Sequence, residues 1–158
     1  MNVQTGIGAL RGSGWMEWLG TEYRIALPAA AAAGRCGAFE GRLAAGGGPP
    51  LHVHHREDEV IHVIEGEIEF WLDGAVTRLG AGRSAFLPRG VPHTFRVTDA
   101  GPARTVGLVT PGGFEAFFAT AAEERRGPHD PAGLAAFAAR WQVEFLGPNP
   151  LMPAPARG

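Results

Sequence analysis

Three histidines and one glutamate, His52, His54, His93 and Glu59, stand in a frame of glycine and proline at spacings that suit metal ligation. The first stretch reads Gly46-x5-His52-x-His54-x4-Glu59-x6-Gly66, and the second reads Gly82-x5-Pro88-x-Gly90-x2-His93. Three imidazoles and one carboxylate make an N3O set. Such a set suits one divalent transition metal (Fe, Mn, Ni, Co, Cu or Zn), with coordination positions left over for water, substrate or dioxygen.

Strands are the elements that can place these groups. Side chains alternate along a strand, so His52 and His54 point to one side of a sheet and can share one ion. A tight turn through Arg56, Glu57 and Asp58 is expected to bring the chain back, with Glu59 opening the run Val60 to Ile64 as a neighbouring strand. His93 follows Pro88, Gly90 and Pro92, a turn-rich passage, and starts the run Thr94 to Val97 that closes the site from a third strand. The same parity sets other histidines aside. His55 faces away from His54, and His62 lies an odd number of residues from Glu59, so both are expected at the surface or behind the ligands. His129 is expected in solvent.

The two stretches resemble the signature motifs of the cupin superfamily, in their usual order. The phrases "PLHVHH", "IEGEIEFWLDG" and "FLPRGVPHTF" are similar to those of small single-domain cupins related to quercetin 2,3-dioxygenases. The resemblance implies an all-β fold, an RmlC-like double-stranded β-helix or jelly-roll barrel with the metal inside, on His52, His54, Glu59 and His93. It also implies a metal-dependent dioxygenase acting on a flavonol-like or other enolic or phenolic small molecule, with Glu59 as catalytic base. The alternatives are a cupin isomerase or decarboxylase, and a non-catalytic small-molecule-binding cupin with a structural metal. Where the second motif usually ends in Asn, this chain has Val97, which removes no ligand.

Composition narrows the field further. The 158 residues can bury roughly 68 to 70% of their unfolded surface, enough for one core. Gly 24 and Pro 13 suit short strands joined by tight turns. All 14 basic residues are Arg; without Lys, Schiff-base catalysis is excluded. A net charge of −2 without blocks of like charge argues against nucleic acid and anionic membranes as partners. The single cysteine, Cys36, reads as a small buried hydrophobe. The first twenty residues lack a basic start followed by an apolar core, so a cytoplasmic location is the expectation.

Along the chain, residues 1–20 read as an N-terminal arm with glycines and with Trp15 and Trp18. Residues 21–110 read as the barrel, 111–146 as a helical extension and 147–158 as a Pro-rich tail, the chain being extended from Phe145 on. Strands are expected at 23–27, 36–43, 51–54, 60–65, 67–72, 75–79, 84–87, 93–97 and 104–109, with Asp73-Gly74 as a hairpin turn. Ile61, Val63, Phe70, Leu72, Phe86 and Phe95 are assigned to core packing. Phe114, Phe117, Phe118 and Ala121, then Leu134, Phe137, Ala138 and Trp141, recur at helical spacing. These stripes are expected to pack on the outside of the barrel or on a second subunit, and a homodimer is the expected assembly.

Overall fold

The computed structural model describes residues 12–153. Eleven strands run β1 (Met16–Trp18), β2 (Thr21–Leu27), β3 (Gly37–Leu43), β4 (Leu51–His54), β5 (Asp58–Glu65), β6 (Glu67–Leu72), β7 (Ala75–Gly80), β8 (Ser84–Leu87), β9 (His93–Val97), β10 (Ala103–Thr110) and β11 (Val143–Gly147). Two helices, α1 (Phe117–Glu123) and α2 (Pro131–Arg140), lie between β10 and β11. The alanine run at Ala29–Ala32 makes only a single 3-10 turn, consistent with the proline before it and the glycine after it.

The strands form two antiparallel sheets, ordered β1-β2-β3-β10-β5-β8 and β11-β4-β9-β6-β7. Alternation decides what faces the interior. On β5, Glu59, Ile61 and Val63 are buried while His62 is exposed. On β8, Ala85 and Leu87 are buried, which turns Phe86 outward at 60% exposure. The assignment of Phe86 to the core is thereby corrected: it shares neither parity nor face with its buried neighbours. The Asp73-Gly74 pair joins β6 to β7 with both residues at positive φ (46° and 89°), the geometry of a tight primed turn.

Both ends of the chain depart from the expected arm and tail. Met16–Trp18 pairs with β2, joining the six-stranded sheet, and Val143–Gly147 pairs with β4, the strand that carries His52 and His54. Residues 143–147 therefore belong to the barrel. Short strands of mixed polarity carry too little periodicity to announce themselves, and pairing with a distant partner defines them. Beyond β11, Asn149 is buried and donates from Nδ2 to the carbonyls of Pro49 and Phe95, anchoring the segment against the loop before β4. Residues 1–11 and 154–158, which hold the rest of the expected arm and tail, lie outside the described residues.

Two buried apolar clusters fill the interior. One gathers Phe39 and Val109 with the helical residues Phe114, Phe117, Phe118 and Phe137. The other lies between the sheets around Ile61, Val63, Ile68, Phe70, Leu87 and Val97. Val97 is fully buried there, so this position is packing surface. Asp130 caps α2, its Oδ1 accepting from the Gly133 amide at 2.9 Å.

Candidate metal centre

His52 and His54 project from β4, and His93 stands directly opposite His52 on the neighbouring β9. Each of the three offers one ring nitrogen, and these atoms lie within 4.8 Å of one another. The rings form a triangle, with centroids 4.6 Å (His52–His93), 5.2 Å (His52–His54) and 5.3 Å (His54–His93) apart. His54 and His93 are each only 1% exposed.

Hydrogen bonds settle the tautomer of two rings. The carbonyls of Pro50 and Val91 can only accept, so His52 Nδ1 (2.8 Å) and His93 Nδ1 (2.9 Å) carry the proton and donate. Their Nε2 lone pairs are left free. Burial, with a smaller contribution from neighbouring His93, lowers the pKa of His52 from 6.5 to about 3. Burial and then His52 and His93 hold His54 well below its ordinary value. His52 and His54 are therefore neutral at physiological pH, the form in which imidazole ligates metals.

Buried polar atoms without a hydrogen-bond partner among the described residues include His54 Nδ1, His54 Nε2, His93 Nε2 and Glu57 Oε2. Leaving such an atom unsatisfied costs about 1–3 kcal/mol, so their concentration at one place needs a compensating partner. A divalent cation on the three imidazoles supplies one, and this donor set fits it.

Glu59 reaches the cluster by a different route from the one expected. Its strand, β5, belongs to the opposite sheet, so the turn after His54 is a corner that carries the chain across the barrel. The expectation of a strand beside the histidine pair is corrected to a strand facing it. The carboxylate is buried, and its Oε2 is 3.6 Å from His93 Nε2. The group whose donor atoms all meet within 4.8 Å comprises the three histidines, and Glu59 stands at its edge. His55 pairs with Glu144 and His62 with Ser84, both exposed, and His129 is exposed too, as strand parity and loop position led us to expect.

Glu57, assigned from sequence to an ordinary turn, is 2% exposed. Its Oε1 accepts from Arg56 Nη1 at 2.7 Å, and its Oε2 lies 3.9 Å from His54 Nδ1. Burial raises its pKa, partly opposed by Arg56. Turn residues are usually solvated, so no local signal marks it.

A cavity of about 360 Å³ opens from the histidines, and it takes walls from both apolar clusters. The aromatic stripe of residues 114–118 forms part of it: the Phe114 ring sits 4.3 Å from the His54 ring. The expectation that this stripe packs outside the barrel is corrected, because the helical segment caps the barrel and lends its phenylalanines to the interior. Tyr23 stacks on Phe118 at 3.8 Å and 6°. Burial chiefly, with Glu59 adding and Thr21 opposing, pushes its phenol above the ordinary range, so it stays a neutral hydroxyl. Trp18 joins the same wall and is tied to the helices by donating from Nε1 to the Arg126 carbonyl at 2.7 Å.

Comparison with known proteins agrees with this architecture. Residues 39–109 match the cupin domain family. Quercetin 2,3-dioxygenase of Bacillus subtilis is 31% identical over 86 residues, which cover 52% of this chain and 25% of that protein. The chain thus spans about a quarter of that relative's length. Among solved structures, KdgF from Halomonas sp. superposes with a TM-score of 0.58 at 20% identity, covering 64% of this chain and 88% of that one. The polyketide cyclase RemF from Streptomyces resistomycificus gives a TM-score of 0.50 at 28% identity, covering 57% and 64%. The family match covers the strands that hold the histidines, and two facing antiparallel sheets surround them, so residues 39–109 form a cupin domain.

Proposed function

We infer that this protein is a metal-dependent dioxygenase acting on a flavonol-like or other enolic or phenolic small molecule. The observation that carries this reading is a trio of buried imidazoles that opens into an aromatic-walled cavity with one buried carboxylate at the boundary. The identity to the quercetinase supports the same class.

A divalent transition metal on His52, His54 and His93 supplies Lewis acidity to an enol or phenol oxygen. The chain's own residues do the rest. Glu59 joins the histidines as a fourth ligand and acts as general base, taking the enol or phenol proton on a carboxylate oxygen. The Pro50 and Val91 carbonyls hold two imidazoles with Nε2 inward. Phe114, Phe117 and Phe118 give a flat ring an apolar bed and keep water out, while Thr21, Tyr23 and Thr105 set hydroxyls on the wall for a polyphenol's polar groups.

A second reading, an isomerisation or cyclisation without dioxygen, is favoured by the 28% identity to RemF, a polyketide cyclase. Metal analysis of the purified protein, followed by oxygen-electrode assays on flavonols, catechols and β-diketones, separates the two. Oxygen uptake that Glu59→Gln abolishes while the barrel stays folded is the expected result. A fully active Glu59→Gln would end the base assignment. Substrate turnover without oxygen uptake would favour the second reading. Redox-inert zinc, with no reaction from any metal-reconstituted form, would leave a ligand-binding cupin.

A further inference from the structure

The three histidines of the centre are not held alike. His52 and His93 each donate Nδ1–H to a backbone carbonyl two residues earlier in the chain, which fixes both the tautomer and the ring plane. His54 has no carbonyl in that place, and neither of its nitrogens has a partner among the described residues. The polar atom that faces its Nδ1 is Glu57 Oε2, at 3.9 Å, itself buried and unpartnered.

The other half of the Glu57 carboxylate is anchored. Arg56 Nη1 donates to Oε1 at 2.7 Å and also to the Gly112 carbonyl at 3.2 Å, so the guanidinium ties the carboxylate to the segment after β10. With Oε1 held, Oε2 is left toward His54. A carboxylate taken out of water with one oxygen unsatisfied is costly to the fold, so its burial needs a compensating partner. The gap to His54 closes to ordinary hydrogen-bond length with a shift of about 1 Å.

We propose that Glu57 is the positioning residue of His54, accepting its Nδ1–H through Oε2 and so turning the Nε2 lone pair onto the centre shared with His52 and His93. A carboxylate in this place also makes the imidazole a more basic ligand than a carbonyl does. The assignment rests on the three histidines being metal ligands, and it is independent of which reaction the centre performs.

Zinc binding to the full chain, measured by competition with a chromogenic chelator, provides one test, and ¹H–¹⁵N correlation of the imidazoles of the zinc-loaded protein provides the other. Glu57→Ala is expected to weaken zinc binding about 10- to 100-fold, the usual effect of removing such a partner. The His54 Nδ1–H signal should vanish into exchange while those of His52 and His93 stay in place, a selective change that general loosening of the fold does not produce. Glu57→Gln keeps an acceptor oxygen without the charge, so the signal should persist upfield and the affinity loss should be smaller. Wild-type affinity and an unmoved His54 signal in Glu57→Ala would overturn the proposal, as would a wild-type His54 protonated on Nε2. If Glu57→Ala does not fold, Glu57→Gln decides alone, an unmoved signal and unmoved affinity sinking the idea. A wild-type chain that takes up no zinc or other divalent metal would overturn the metal reading together with this one. A wild type that takes up zinc, with variants of unchanged affinity and unmoved His54 signal, overturns the Glu57 assignment alone.

Discussion

At the scale of single residues, the site is governed by what burial does to imidazole. Burial pushes His52 down from its ordinary 6.5 to about 3, and His54 is displaced in the same direction. Between about pH 6.5 and about 3 the unfolded chain therefore binds protons that the native site refuses, and native stability falls as pH drops through that window. The metal-free protein should lose stability on the order of 1 kcal/mol per pH unit across that window through His52, with His54 acting in the same direction. Chemical denaturation of the apoprotein from pH 7 to 4 reads this slope, and His52→Ala should flatten it. A slope that is unchanged in the variant would mean that other groups set the acid limit. The same protons compete with metal, so metal affinity should fall over the same range.

At the scale of elements, the strands act as rulers and the corners as switches. β4 and β9 lie side by side and bring His52 against His93, while the corner after His54 sends β5 to the other sheet, so Glu59 approaches from across the barrel. On β10 the inward position opposite Phe39 is Gly107, and a Cβ built there would run into the Phe39 ring. Phe39 is both core and cavity wall. Gly107→Ala should cost roughly 1–3 kcal/mol by overpacking, read as a lower urea midpoint with an unchanged m-value. An equally stable variant would mean that the aromatic wall yields freely. Val97 on β9 shows the converse case, an apolar residue placed where the related motif carries Asn and absorbed fully into the core.

At the scale of the whole molecule, the centre joins parts that are far apart in sequence. Its three histidines come from one sheet and Glu59 from the other, its aromatic wall draws on the helical segment and on Trp18, and the Trp18 to Arg126 bond spans 108 positions. A cation bound only by the native arrangement should stabilise all of it together. Zinc at about 100 times its Kd is expected to add about 2.7 kcal/mol to the unfolding free energy, and EDTA should remove the gain. Thermal unfolding with and without metal measures this, and His93→Ala should show little of the shift. A shift of equal size in His93→Ala would place the cation elsewhere. Among the described residues no helix is long and apolar enough to cross a membrane.

Sequence alone determined what local period and spacing can carry. His52 and His54 on one face, the burial of Glu59, Ile61 and Val63, the Asp73-Gly74 turn and the dismissal of His55 and His62 all follow from a side-chain repeat of two. The donor types in that frame pointed to a metal centre, and the resemblance of the same motifs to those of cupins implied the barrel. Tertiary structure alone decided which sheet carries Glu59, that Phe86 faces outward, that Glu57 is buried against His54, and that residues 143–147 return to pair with β4. It also turned the stripe at 114–118 from an outer face into a cavity wall. The physical reason is the same in each case: these placements depend on how corners and long connections close. Pairing and burial between residues that are far apart in sequence leave no mark on the residues read singly.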